Sequence, residues 1–328
     1  MNMYRPSRRE VLVASLAGLV APGSFAQSLP ANARIIVGFT PGAGADIVAR
    51  RLSQELMGRL ATAVIVDNRP GAGGNLAIKS AATSAPDGMT LVSNPSGVMA
   101  VNPHTYRNPG WTPFVDLAAV SLLCRYELGF AVGKGVPESV KTLSDFTTWV
   151  RQQRQAVAYG SPGAGSSVHF VTHHLAQSQD LNMLHVPYRG AGPMVVDILS
   201  GQIAAGAGSL PALMAHTASG QLRVLASTGE ERSRFFPSIP TFEEQGVKGL
   251  AMREWHGLYV PGKTDPQVIA RITGLVHAAV KDPAFIESIA KQGFEAAIST
   301  PKELDQLAKV DMERWGAIVK KSGFVPES

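Results

Sequence analysis

Short apolar runs of strand length alternate with stretches of 3.6-residue periodicity through most of this 328-residue chain. Residues 34–39, 64–66, 90–93, 122–132, 156–160, 184–188, 222–227 and 257–260 read as strands. Helical spacing covers 47–60, 76–82, 143–153, about 169–177, 193–199, 266–280, 283–291 and 301–321. Such alternation predicts an α/β architecture with mainly parallel pairing. The chain is long enough to divide into two lobes. Leaving one lobe near 125–131 and returning near 250–258 would make both crossings strand-like and let the lobes hinge. The expected boundaries are 27–127 with 251–328 for lobe 1, and 128–250 for lobe 2.

Two segments about 120 residues apart share one layout. In the first, an apolar strand ending in Phe39 runs into Thr40-Pro41-Gly42-Ala43-Gly44-Ala45-Asp46 and then a helix. In the second, a strand runs into Ser161-Pro162-Gly163-Ala164-Gly165-Ser166-Ser167 and then a helix. A glycine turn opening a helix leaves several backbone N–H groups unpaired at the positive end of the helix dipole. Anions bind at such places without an arginine. Two of them, one in each lobe, would form the halves of an anion clamp; read more plainly, both are tight strand-to-helix turns. Valine at Gly44 or Gly165 is expected to block an anion while sparing the fold.

Asp46 lies in the first turn of its helix, where a carboxylate suits the dipole and either caps backbone amides or meets a ligand. Ser161, Ser166 and Ser167 are hydroxyls beside the second helix start, able to cap it or to reach an anion. His169 and His173 stand four apart on a predicted helix, a spacing that can serve a metal. No glutamate of a zinc-hydrolase motif lies between them, so helix-surface or packing histidines are the better reading. His169, in the first turn, can also face the loop. Arg253-Glu254-Trp255-His256 interrupts the second crossing, either as a polar stretch beside a packed Trp or as a ligand contact, with Trp255 walling an organic group.

Enzyme chemistry finds little here. The Gly-x-Gly turns lack the third glycine of a dinucleotide fingerprint, since Ile47 and Val168 stand in its place, and no Walker sequence follows them. No Gly-x-Ser-x-Gly elbow appears, and no catalytic constellation can be picked out. No cofactor and no metal is expected.

At the start, Ser7-Arg8-Arg9-Glu10 precedes a short apolar stretch at 11–20, and Ser24-Phe25-Ala26 offers a small-x-small cleavage site. The stretch is far short of the roughly 20 residues that span a bilayer. Residues 1–26 therefore read as an export signal with a twin-arginine start. Its loss removes Arg5, Arg8, Arg9 and Glu10 and lowers the formal charge from +5 to +3. That mild excess, without a basic run, does not support nucleic-acid binding. A single cysteine, Cys124, forbids an internal disulfide.

Longer stretches carry a resemblance. Residues 35–50 read Ile-Ile-Val-Gly-Phe-Thr-Pro-Gly-Ala-Gly-Ala-Asp-Ile-Val-Ala-Arg, and 67–75 read Asp-Asn-Arg-Pro-Gly-Ala-Gly-Gly-Asn. Ala85-Pro86-Asp87-Gly88, Tyr159-Gly160-Ser161-Pro162-Gly163, His185-Val186-Pro187-Tyr188-Arg189-Gly190 and Gly257-Leu258-Tyr259-Val260-Pro261 follow in order. Over about 33–322 the chain resembles the Bug-type solute receptors of tripartite tricarboxylate transporters. The resemblance implies a periplasmic, two-lobed, type II-like binding-protein fold with two mixed sheets flanked by helices and two strand-like crossings. It implies a monomer that closes on a small organic carboxylate without chemistry and passes it to membrane transporter subunits; a sensor protein is the alternative partner, an exported enzyme the rival class. The loops matching Phe39 to Asp46 and Ser161 to Ser167 would grip the carboxylate. Ser93, Ser96 and Gly97, with Tyr188 and Arg189, would line the cleft. Members often carry Thr-His at Val98-Met99, so this side should be less polar, and often carry acids within 201–210. With Ala204 and Gly208 there instead, the expected ligand is a carboxylate without an ammonium, aromatic or a short dicarboxylate.

Overall fold

The computed structural model describes residues 29–326. The export signal at 1–26 lies outside them. Two mixed sheets, each flanked by helices, divide the molecule into two lobes.

The first sheet has the order β11-β4-β10-β3-β1-β2. Its strands are β1 (Asn32–Val37), β2 (Ala63–Asn68), β3 (Thr90–Pro95), β4 (Leu117–Tyr126), β10 (Glu254–Pro261) and the short β11 (Glu295–Ala296). β1 pairs in parallel with β2 and β3, whereas β10 runs antiparallel to both β3 and β4. The second sheet has the order β7-β6-β8-β5-β9. It comprises β5 (Leu128–Val132), β6 (Val157–Ser161), β7 (Met183–Pro187), β8 (Ala205–Ser209) and β9 (Arg223–Ser227). β6 pairs in parallel with β7 and β8, and β5 is antiparallel to β8 and β9. Pairing is thus mixed rather than mainly parallel, because each sheet receives a strand arriving from the other lobe.

The long strand expected at 122–132 is two strands in two sheets, with Glu127 alone between them. On the return path Met252 N–H donates to Thr228 O at 2.6 Å, and Thr228 exchanges backbone and hydroxyl bonds with Leu128. Thr228 therefore bridges the two crossings. Arg253 strengthens the join: its Nε lies 3.0 Å from Glu127 Oε1 and its Nη2 donates to Glu295 Oε2 at 2.5 Å.

Strand β8 escapes sequence reading because Ala-Gly-Ala-Gly-Ser has no β-branched or aromatic residue. Its small residues admit helix α7 (Ala191–Ser200): a Cβ at Gly206 would sit 2.7 Å from Ile198.

Helix α1 (Gly44–Leu56) places Ala45, Val48, Ala49, Leu52 and Leu56 on one buried face against the first sheet. Helix α6 (Ser167–Ser178) buries Val168, Phe170, Val171 and Leu175, with Phe170 packed against Trp315 and Phe324. The last two belong to α11 (Pro301–Ser322) and the segment after it, so the C-terminal helix reaches the other lobe.

Candidate functional site

The first glycine turn is built around a carboxylate. Asp46 is only 2 % exposed. Its Oδ2 accepts from Gly42 N–H at 2.9 Å and Arg50 Nε at 2.8 Å, and its Oδ1 accepts from Asn68 Nδ2 at 2.9 Å. Asn68 also donates to Phe39 O at 3.0 Å, closing the loop onto β2. Burial works to raise the Asp46 pKa, but the bonds from Arg50, Gly42 and Asn68 together hold it below the ordinary value. Asp46 is thereby a loop organiser with both oxygens engaged. Thr40, Pro41 and Gly42 form the exposed tip, Gly42 at φ +84°, and half-buried Phe39 packs beneath. Ala43 is the extended N-cap of α1, and among the described residues no acceptor meets the N–H groups of Gly44, Ala45 and Asp46.

Neutral groups shape the second turn. Ser161 Oγ donates to Gly163 O at 2.9 Å and lies 2.7 Å from His185 Nε2. Ser166 Oγ donates to Gly163 O at 2.7 Å and accepts from His169 N–H at 3.3 Å, capping α6. His169 Nδ1 accepts from Gly165 N–H at 3.2 Å, and its ring stacks on His185 with centroids 3.8 Å apart. Burial, then the neighbouring imidazoles, pushes His169 down to about 3; burial and His173 push His185 down to about 4. Both rings are neutral near pH 7. Pro162 O accepts from Gly190 N–H, fastening the turn to the following loop, and Ala164 is half-buried. The N–H groups of Ser167 and Val168 meet no acceptor among the described residues.

The third loop joins the lobes. β3 ends in α3 (Ser96–Ala100), and the Ser96 hydroxyl bonds the carboxyl of Glu254 on β10. Gly97 and Ser167 of lobe 2 crowd the same carboxyl: a Cβ on Gly97 would stand 3.8 Å from Glu254 Oε2 and 3.2 Å from Ser167 Oγ. Glu254, 3 % exposed, is a central group of the junction that sequence reading did not assign. Its only signal was an acid beside an aromatic at a crossing. Asn68 and His185 were likewise missed, although both lie within the quoted motifs.

Several expected positions fall elsewhere. Trp255 is fully buried in lobe 1, its Nε1 donating to Asp311 at 2.8 Å, so it walls no cleft. Gly208 turns toward Leu213 and Met194 within lobe 2, a core position. Val98 and Met99 pack into the lobe 1 core and change no polarity in the cleft. Valine at Gly44 would not spare the fold, because a Cβ there meets Phe294 at 2.8 Å; at Gly165, φ +66°, it meets Thr105 at 2.9 Å. Ser93 is buried with its hydroxyl unpaired among the described residues. Tyr188 donates to Asp197 at 2.7 Å, and Arg189 is exposed with no ion-pair partner among them. His169 and His173 pack edge to face with ring centroids 6.0 Å apart, and no group of three or more His, Cys, Asp or Glu that could hold a metal occurs among the described residues. No described helix is long and apolar enough to cross a membrane. A hollow of about 510 Å³ on lobe 2, lined by Trp149, Gln152, Arg154 and Gly201, shares no residue with these loops.

The model of the tripartite tricarboxylate transporter family receptor matches residues 48–324. Protein BugT of Bordetella pertussis is 32% identical over 98% of this chain and 99% of its own. Among solved structures, the periplasmic binding protein BugD superposes with a TM-score of 0.82 at 25% identity, over 90% of this chain and 99% of that one. A protein of R. palustris, Rpa4515 solved with adipate, gives 0.84 at 26% identity, over 90% and 98%.

Proposed function

This chain belongs to the tripartite tricarboxylate transporter receptor family, and we propose that it captures a small organic carboxylate between its lobes in the periplasm and hands it to a membrane transporter. One observation carries the reading: α1 and α6, one from each lobe, open on glycine turns whose first N–H groups meet no acceptor among the described residues. Such groups bind a carboxylate through backbone donors and the helix dipoles. We take lobe 1 as 27–127 with 251–328 and lobe 2 as 128–250. Closure about the two crossings then shifts the population toward the ligand-bound form. Export by the twin-arginine route rests on Ser7-Arg8-Arg9.

The acids of the junction bear on ligand class. Asp46 spends both oxygens on protein donors and Glu254 is buried with Oε2 taken by Ser96, so neither is presented to a ligand ammonium. Exposed Arg189 offers a cation to a distal charge. A carboxylate lacking an amino group fits this set, and the adipate found in the R. palustris protein is of that kind. Melting of residues 27–328 against adipate, other mono-, di- and tricarboxylates, aromatic acids and amino acids tests the reading. A bound carboxylate raises the midpoint, by about 2.7 kcal/mol of stability at a hundredfold excess over Kd. Shifts from amino acids alone would overturn the ligand class.

A further inference from the structure

The carboxyl of Glu254 sits where the lobes meet and faces no cation among the described residues. Arg253, beside it in sequence, turns away to Glu127 and Glu295. Asp311 on α11, whose charge reaches Glu254, is held by Trp255 Nε1 and by Arg314 at 3.0 Å. Tyr126 lies opposite on β4, its own proton held fast by burial. His169, two residues beyond Ser167 on α6, stays neutral down to about 3. The Ser96 hydroxyl bonds the Glu254 carboxyl, and uncharged Gly97 of lobe 1 and Ser167 of lobe 2 lie beside it. A carboxylate without a counter-ion is costly to bury, and a proton from solvent removes that cost.

We propose that Glu254 is a proton-dependent latch: fixed to lobe 1 by Ser96, its carboxyl meets Ser167 of lobe 2 as the lobes close and picks up a proton in doing so. The proposal rests on the closing-receptor reading above. Separation of the lobes withdraws Ser167 and returns water to the carboxyl, restoring ordinary carboxylate behaviour. In the closed form burial raises its pKa more than its polar neighbours Ser96, Ser167 and Gly97 lower it, and Asp311 adds to the rise. The sign follows. Between the ordinary carboxylate range and the raised value the closed form binds more protons than the open one. Closure is therefore favoured as pH falls into that window and weakened as pH rises through it. Neutral carboxyl also keeps its own O–H available as a donor among the hydroxyls.

The test follows lobe separation directly. Cysteines at exposed Lys134 (lobe 2) and Lys281 (lobe 1) carry a fluorescence-transfer pair on the mature chain, while buried Cys124 stays unlabelled. As pH falls from 7.5 to 4.5, above the range where His169 and His185 take up protons, the closed-to-open ratio should rise by about threefold or more. Glu254→Gln, which keeps the shape and neutral hydrogen bonds, should hold the ratio level across the same range. Ser167→Ala should lower the ratio and flatten the slope, and serves if the first variant folds poorly. A flat wild-type profile, or an unchanged slope in Glu254→Gln, overturns the latch. Adding adipate and the carboxylate panel separates the two readings. Closure by a carboxylate without a Glu254-dependent slope refutes the latch alone; a Glu254-dependent slope with no response to any carboxylate upholds the latch and refutes the ligand class.

Discussion

The loop ahead of α1 and the loop ahead of α6 begin from the same strand, Pro-Gly and helix layout and are held in different ways. In the first, a buried charge gathers Gly42, Arg50 and Asn68 around one side chain. In the second, Ser161, Ser166 and a stacked pair of neutral imidazoles do the same task with no net charge. The first therefore offsets part of its helix dipole with its own carboxylate, while the second keeps its dipole for Glu254 and a ligand. Similar layout in sequence thus leaves open how each loop is electrostatically tuned.

Removing Asp46 should separate the two loops most sharply. Asp46→Ala strips three bonds from a charged acceptor and leaves Asn68 and Gly42 without it, so stability should fall by about 2–3 kcal/mol, read from urea unfolding. An equal loss from Ser161→Ala would show that the loops are not held differently.

Valine substitutions come next. Gly44→Val drives a side chain into Phe294 and should cost about 1–3 kcal/mol with a lowered Tm. Gly163, with open space around it and no positive φ, should accept alanine with Tm unchanged while ligand affinity drops. Loss of Tm in Gly163→Ala would mean that the second loop, too, is packed rather than open.

The smallest effect at neutral pH belongs to the imidazole pair. Unfolded histidines take up protons near 6.5, but His169 and His185 in the fold do so only at about 3 and about 4. The unfolded chain thus binds more protons below about 6.5, and stability falls as pH drops from there toward 4. His185→Gln should show a shallower decline in urea midpoint between pH 7.5 and 4.5. An identical decline would place the acid sensitivity elsewhere.

Much of this was legible along the chain. The strand-to-helix turns at Gly42–Gly44 and Gly163–Gly165 announce themselves by glycine and proline, and α9 (Pro266–Val280) by its periodicity. β8 did not, since its alanines and glycines answer to close helix packing rather than to strand propensity. The break at Glu127 was invisible because an apolar run says nothing about which sheet each half joins. Trp255 missed its expected place, and Glu254 went unassigned, for a related reason. Successive strand residues face opposite ways, and register alone decides that the aromatic turns to Asp311 and the acid to Ser96.

Strand β10 carries one more consequence, in the order of synthesis. It lies between β3 and β4 in the first sheet, yet it is made only after the whole of lobe 2. Until residues 254–261 emerge, the facing edges of β3 and β4 lack their partner and stay open to wrong pairing. Lobe 2, formed from one uninterrupted stretch, can complete its sheet first. Lobe 1 starts the chain and finishes last, so a nascent chain that stalls before β10 holds one finished lobe and one unfinished sheet.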